Sequence, residues 1–591
     1  MIGRWFGRKS SPDAPTTTAS PGATVADSPA RETIDAELLR GLDHLEAKRH
    51  DRAIAVFEDV LAADPAHLVA NYQRVNALLE KGDVAAADAA CDAALALLPD
   101  QPDLLMLSGA IAAAAHDPTG ALERFERARA ANPALGGVDE RIGEQLAFLG
   151  RGAEAVAACD RAIARQPDNF ALGSHRLFLL DRFGLFDRQR TFDEHRAWGE
   201  RIERSVAAAR RPHMNDRSPG RGLRVGFVAP DRRNHAVAPW LESYLVAHDR
   251  EAYSAHAFDV SPCADDEVSK RLRGRFDRWY RCGAMSDDEL AGLVRGQRID
   301  VLVDLAGHDG HSRLAVFARK PAPVQASWFG HMNTTGLSTI DWRLTDARHD
   351  PPGSEACYTE RLWRIPSPAC FMPDPESPDP GPPPFERNGH VTFASANDWT
   401  KVSEATKDTW AAILRAVPDT RLRVIARGRD AVLDAFAQRG VAGDRVDVLP
   451  FLPLASFLAF FRDADVALDP FPCGGGTTTL RTLWMGVPVV TLEGDAGHAR
   501  ATPAAMRGVD AADFVASTPS AYVEIASSIA RRPDRLAQLR PQLRARLEAS
   551  GAMDYPRFAR DVEAALREMW RAYCAQPPAA PPPPLTSSRP A

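Results

Sequence analysis

The sequence predicts a multidomain protein, an α-helical repeat superhelix followed by two open α/β domains. Three observations predict it. One residue pattern recurs every 34 positions through the first third of the chain. After residue 220, short apolar runs alternate with helical segments, the pattern of a parallel sheet wrapped by helices. A proline-rich stretch then divides that second region into two similar series.

The repeat is anchored on Pro65, Pro99, Pro133 and Pro167, which are 34 residues apart. Twelve residues before each stands an alanine, Ala53, Ala87, Ala121 or Ala155, small enough to let two helices approach. Eight before each stands Phe57, Cys91, Phe125 or Cys159, and a turn lies at Lys48, Gly82, His116 or Gly150. This is the pattern of tetratricopeptide repeats, two helices per unit with proline ending the second. Residues 34–168 therefore read as the repeat array, and 169–219 as a helical bridge lacking the proline spacing. Such arrays stack into a superhelix whose concave face suits protein or peptide partners; a spacer or dimerisation element is the alternative. Residues 1–33 and 573–591 read as disordered on their proline, alanine and small polar content.

The first α/β series occupies 220–372, with strand candidates at 223–231, 253–260, 299–307, 323–330 and 341–347. The linker follows at 373–389, and the second series, 390–572, has candidates at 390–397, 420–427, 445–452, 464–471 and 488–494. Two Rossmann-like domains joined in this way place a ligand cleft at the carboxyl ends of their strands.

Composition sets outer bounds. At 591 residues the chain exceeds one core, and 45% apolar with 26% charged residues is ordinary for a globular protein. A net charge of −7 gives no basic footprint for nucleic acid. Eight scattered cysteines form no C-x-x-C pair, so neither a zinc site nor a disulfide framework is signalled. No apolar run reaches the length of a membrane span, and the N-terminus lacks a secretory core. The expectation is a cytoplasmic protein with reduced thiols.

Four places carry candidate chemistry. Gly474, Gly475 and Gly476, followed by Thr477, Thr478 and Thr479, stand between a strand and a helix. Bare N–H groups at a helix start, with threonine hydroxyls beside them, suit a phosphate or diphosphate, while a plain flexible turn is the alternative. No lysine follows the glycines, so this is not a Walker loop. Lys401, after the first strand of the second half, is placed to neutralise a leaving diphosphate. His235, after the first strand of the other half, suits a base or a hydrogen-bond donor. His308, His311 and Arg313 follow a third strand at the same end and suit an acceptor or an anion; no regular third ligand supports a metal.

Taken together, these segments resemble the protein O-GlcNAc transferase/SPINDLY family. "LRVGFVAPDRRNHAVAPWLES", "IDVLVDLAGHDGHSRLAVFARKPAPVQASWFGHMNTTG", "SANDWTKVSEATKDTWAAIL" and "LDPFPCGGGTTTLRTLWMGVPVVTLEG" look like its motifs, in order, and the resemblance covers roughly 34–570. It implies an inverting, metal-independent transferase of the two-Rossmann (GT-B) type, with no cofactor and a nucleotide-sugar donor held mainly by the C-terminal half. It implies transfer to serine or threonine of proteins, with UDP-GlcNAc as the first donor. GDP-fucose or another UDP-sugar is one alternative, and a repeat scaffold carrying an inactive transferase domain is another. A homodimer stays open.

By position, His235 matches the family's active-site histidine, and Lys401 the lysine that holds the donor diphosphate. Thr477 and Thr478 match the threonines that bind it, with Gly475 and Gly476 beside them, and Arg500 matches an arginine beyond the next strand. Three positions depart from the pattern. Phe457 stands where many members have a histidine near the base. Gly474-Gly475-Gly476 stands where the family often has Asn-Gly-His or Asn-Gly-Thr. Arg481 replaces an acidic residue that contacts the ribose. The phosphate end of the donor site is retained and the nucleoside end is altered.

Overall fold

A computed structural model describes residues 29–229, 235–261 and 265–577. The chain forms two compact units, residues 1–162 and 163–591. Of the segments expected to be disordered, 1–28 and 578–591 lie outside the described residues. The remainder corrects the expectation at both ends. Helix α1 begins at Pro29, and the last helix runs to Cys574.

The first unit is built from antiparallel helices α1 (Pro29–Glu46), α2 (His50–Ala63), α3 (Leu68–Lys81), α4 (Val84–Leu97), α5 (Pro102–Ala114), α6 (Pro118–Ala131), α7 (Val138–Phe148) and α8 (Gly152–Arg165). The sequence sets their ends. Asp83 and Asp117 cap α4 and α6 by accepting from the N–H groups of Ala86 and Gly120. Gly82 closes α3 in the left-handed region at φ 90°. Each repeat proline stands just past an even-numbered helix, where it cannot extend it. Phe57 and Phe125 each face a glycine on the preceding helix. A Cβ added at Gly41 or Gly109 would lie 2.5 Å from the Phe57 or Phe125 ring. The smaller Cys91 shares its core cluster with Val75. Bulk on one helix is matched by its absence on the other.

The second unit opens with α9 (Phe170–Phe183) and α10 (Arg188–Ser205). A seven-stranded sheet follows, made of β1 (Leu223–Ala229), β2 (Tyr253–Asp259), β3 (Arg278–Arg281), β4 (Val301–Asp304), β5 (Val324–Ser327), β6 (Trp342–Thr345) and β7 (Arg361–Arg364), in the order β3-β2-β1-β4-β5-β6-β7. A six-stranded sheet is made of β8 (Thr392–Ser395), β9 (Arg421–Ile425), β10 (Val446–Leu449), β11 (Val466–Leu468), β12 (Val489–Leu492) and β13 (Val515–Ala516), in the order β10-β9-β8-β11-β12-β13. Every pairing in both sheets is parallel. Strand order reverses between β1 and β4 and between β8 and β11, and ligands of open α/β sheets bind at such switch points.

Two differences from the sequence reading stand out. The strands it missed, β3, β7 and β13, are all edge strands. Central strands such as β1, β4, β8 and β11 are covered on both faces and read as apolar runs, whereas β3 (Arg-Trp-Tyr-Arg) and β7 (Arg-Leu-Trp-Arg) do not. In addition, the helix Tyr555–Cys574, assigned by sequence position to the second half, returns to the first. Its Phe558, Val562, Leu566 and Trp570 are buried in one core with Phe227, Leu241 and Val303.

Candidate functional site

The carboxyl ends of β1, β8 and β11 converge on a cavity of about 380 Å³ between the two sheets. His235, in the loop after β1, lines it beside Trp240 of the following helix, Ala238–Leu245. Lys401 enters from a short 3₁₀ turn, Trp399–Lys401, after β8. Residues 473–478, after β11, form a further wall.

The glycine stretch is shaped by Asp469, which β11 delivers at its end. This buried carboxylate accepts from the Gly475 N–H at 2.8 Å and from Thr491 Oγ1 at 2.9 Å. Burial raises its carboxyl above the ordinary range, and these donors act against that. A Cβ on Gly474 would fall 2.6 Å from Asp469 Oδ2, and one on Gly475 2.5 Å from Thr479 Oγ1. Glycine is therefore required at both positions for the loop to fold over Asp469. The loop delivers the chain to Gly476, the N-cap of the helix Thr477–Trp484. The N–H groups of that helix's first turn have no intrahelical acceptor and carry the positive end of the helix dipole.

Lys401 Nζ donates to the Gly474 carbonyl at 2.9 Å, so the ammonium is fixed against this loop. Thr477 ties the two halves together: its Oγ1 accepts from Trp240 Nε1 at 2.6 Å and donates to the Ala236 carbonyl at 2.6 Å. Its hydroxyl thus bridges the two halves at the mouth of the helix start. The side chain of Thr478 takes no hydrogen bond among the described residues and lines the cavity.

A group of histidines and a carboxylate forms the wall toward α9 and α10. Asp181 Oδ2 lies 2.7 Å from His331 Nε2 and 3.2 Å from His195 Nε2, and Asn333 Nδ2 donates to its other oxygen at 2.8 Å. His195 Nδ1 lies 2.8 Å from the Thr191 carbonyl, so both of its nitrogens face acceptors. Burial opposes ionisation of both partners, yet their attraction outweighs it. Asp181 is held well below the usual carboxylate range and His195 is raised above its ordinary value. Asp181, His195 and His331 also have the donor atoms of a metal centre, within 4.8 Å of one another, a grouping that no motif or spacing announces. As described, the imidazolium of His195 balances the carboxylate. His498, also in the cavity wall, is pushed below its ordinary value chiefly by burial.

With this geometry in hand, comparison with known proteins is decisive about family. The pattern of glycosyl transferase family 41 matches residues 201–376 and 387–562, and a tetratricopeptide repeat pattern matches 44–111. The chain belongs to glycosyl transferase family 41. The probable UDP-N-acetylglucosamine–peptide N-acetylglucosaminyltransferase SPINDLY of Solanum lycopersicum is 33% identical over 419 residues, 69% of this chain and 45% of that protein. The Arabidopsis thaliana protein of the same description is 33% identical over 421 residues, 69% of this chain and 46% of that one. The structure of a Thermobaculum terrenum O-GlcNAc transferase mutant is 35% identical with a TM-score of 0.76, covering 85% of this chain and 97% of that one. The family-41 chain spans about half the length of the curated relatives it matches.

Not every residue singled out in this family-41 sequence reaches the cavity. His235, Lys401, Gly475, Gly476, Thr477 and Thr478 meet there; Phe457, Arg500, His308 and Arg313 do not line it. Phe457 packs edge-to-face on Phe461 at 5.4 Å, with the Arg481 guanidinium 5.8 Å from its centroid. Arg500 donates to the His349 carbonyl at 3.3 Å. His308, expected at the cleft, is buried. Its Nδ1 meets Ser174 Oγ at 2.8 Å and its Nε2 the Thr335 carbonyl at 3.0 Å, and burial beside His195 and His331 keeps it neutral. Arg313 is paired with Asp287 at 2.6 Å. Of the loop after β4, Asp309 is the residue that lines the cavity.

Arg481 has a counter-ion in the structure. Its guanidinium binds Asp374, from the linker, at 2.8 and 3.1 Å. This pair borders a smaller hollow that shares His235 with the main cavity. Sequence reasoning missed Trp240, Asp469, Asp181, His195 and His331. Only Asp469, at the end of an apolar run and just before the glycines, had a local signal.

Proposed function

We propose that the chain transfers a sugar from a nucleotide-sugar donor to serine or threonine hydroxyls of proteins, with inversion and without a metal. One observation carries this reading: Lys401, the helix start at Thr477 and His235, on three separate loops, meet in one cavity. A lysine fixed against a helix N-terminus favours a diphosphate, above all as it departs and its charge grows. His235, between the main cavity and the hollow at Arg481, orients the donor or the acceptor. UDP-GlcNAc is the first donor to test, since the relatives' descriptions name it. The repeats supply a surface for protein acceptors. Among the described residues no helix is long and apolar enough to cross a membrane; we place the reaction in the cytoplasm.

A second reading keeps the chemistry and changes the donor to GDP-fucose or another UDP-sugar. Arg481 favours it, because its charge and that of Asp374 are joined at the hollow next to His235. A thermal-shift panel of nucleotide sugars separates the two. Stabilisation by UDP-GlcNAc supports the first. Stabilisation by GDP-sugars with none by UDP-sugars overturns it in favour of the second.

A further inference from the structure

Transfer to a hydroxyl needs somewhere for the hydroxyl's proton to go, and His331 lines the cavity with a carboxylate behind it. His331 lies in the loop after β5, its carbonyl held by Arg343 Nη1 at 3.2 Å and its Cβ packed against Gly307, where an added methyl would sit 2.5 Å away. The backbone therefore fixes where the ring begins. At the ring's far end, Nε2 lies 2.7 Å from Asp181 Oδ2. The contact is close without yet having a hydrogen bond's alignment, and catalytic hydrogen bonds characteristically tighten when substrate binds.

A carboxylate at Nε2 places the proton of a neutral imidazole on that nitrogen and leaves the lone pair on Nδ1. His331 Nδ1 takes no hydrogen bond among the described residues, and the ring lines the same cavity as Lys401 and Thr478. Asp181 is itself immobilised by Asn333 and His195. The order is base, then orienting carboxylate, then groups that fix the carboxylate, as in the dyads and triads that activate hydroxyl nucleophiles on unrelated folds.

We propose that His331, oriented by Asp181, is the general base of the reaction; the inference rests on the transferase reading above. The acceptor oxygen forms a bond to the anomeric carbon as the bond from that carbon to the donor phosphate oxygen breaks. The bonding pair leaves with the nucleoside diphosphate, held by Lys401, and the hydroxyl proton passes to His331 Nδ1. Asp181 is a positioning residue, and His195 balances its charge so that it stays ionised.

The test is steady-state transfer to one acceptor protein by the full chain and its His331→Gln, His331→Ala and Asp181→Asn variants. Donor-nucleotide thermal shifts serve as the control for folding. His331→Gln is expected to lower kcat by about 100-fold or more while the nucleotide-induced shift stays near wild type. Imidazole in the buffer is expected to restore part of the lost turnover in His331→Ala, which a merely structural histidine would not allow. Asp181→Asn is expected to lower kcat with KM for the donor little changed. Wild-type turnover in His331→Gln overturns the inference while leaving the transferase reading intact. Absence of transfer by the wild type from any nucleotide sugar overturns that reading, and the inference falls with it.

Discussion

Trp240 Nε1 donates a 2.6 Å hydrogen bond to Thr477 Oγ1, joining the first helix of one α/β half to the phosphate-type helix start of the other. Both groups are buried, and the same hydroxyl donates onward to the Ala236 carbonyl. Thr477→Val keeps the shape and removes both bonds, leaving a buried indole N–H without an acceptor. A cost of about 1–3 kcal/mol is expected. Differential scanning fluorimetry should show a lower melting temperature and a smaller nucleotide-induced shift. An unchanged shift would mean that the two halves do not need this bond to form the donor site.

Arg481 and Asp374 predict a specific pattern of non-additivity. Their side chains are only 11% and 8% exposed, so removing one leaves a nearly buried charge behind. Arg481→Ala should destabilise by about 3 kcal/mol, whereas Arg481→Gln with Asp374→Asn together should cost less than either charge removed alone. A thermal double-mutant cycle reads this directly. Additive losses would show that the two charges are independently solvated.

The fold's interior was legible where burial on both faces writes itself as an apolar run, as in β1, β4, β8 and β11. It was not legible at β3 and β7, which begin and end on arginine, nor in the helix Tyr555–Cys574, whose amphipathic pattern is silent about which sheet it covers. The site divides in the same way. Gly474–Gly476 and Lys401 sit at strand ends, where local sequence reveals position, and both reach the cavity. Asp181, His195 and His331 come from three separated segments with no shared motif and meet only through tertiary packing. His308 carried the same local signal as His235 and is buried away from the cavity lining. Neither the direction of its loop nor the presence of Ser174 beside it can be read from spacing.

The Asp181–His195 pair makes stability depend on pH with a defined sign. Raised above its unfolded value of 6.5, His195 contributes fully below that pH and loses its contribution as pH rises through the folded value. Depressed below its unfolded value of 3.8, Asp181 contributes fully above that pH and loses its share as pH falls through the folded value. Both contributions are complete between these two unfolded values. His195→Gln should therefore melt well below wild type at about pH 5.5, with the gap narrowing as pH rises beyond neutrality. A gap that is constant with pH would mean the pair is not ionised.

In the repeat unit, Gly109 faces the Phe125 ring with no room for a methyl group. Gly109→Ala should destabilise that unit by about 1–3 kcal/mol, against alanine's better helix propensity. Adding Phe125→Leu to it should recover part of the loss. Proteolysis of the repeat unit under mild denaturant measures it; equal protection of wild type and Gly109→Ala would contradict the packing account.

The central claim is that Lys401 and the glycine–threonine loop hold a donor diphosphate for transfer to protein. Mass spectrometry of proteins co-expressed with wild type or with Lys401→Ala tests it most directly. The account predicts sugar-sized additions on serine or threonine with the wild type, and a fall of about 100-fold or more in their abundance with Lys401→Ala at equal expression. Equal modification by the two proteins, or none by the wild type, would contradict it.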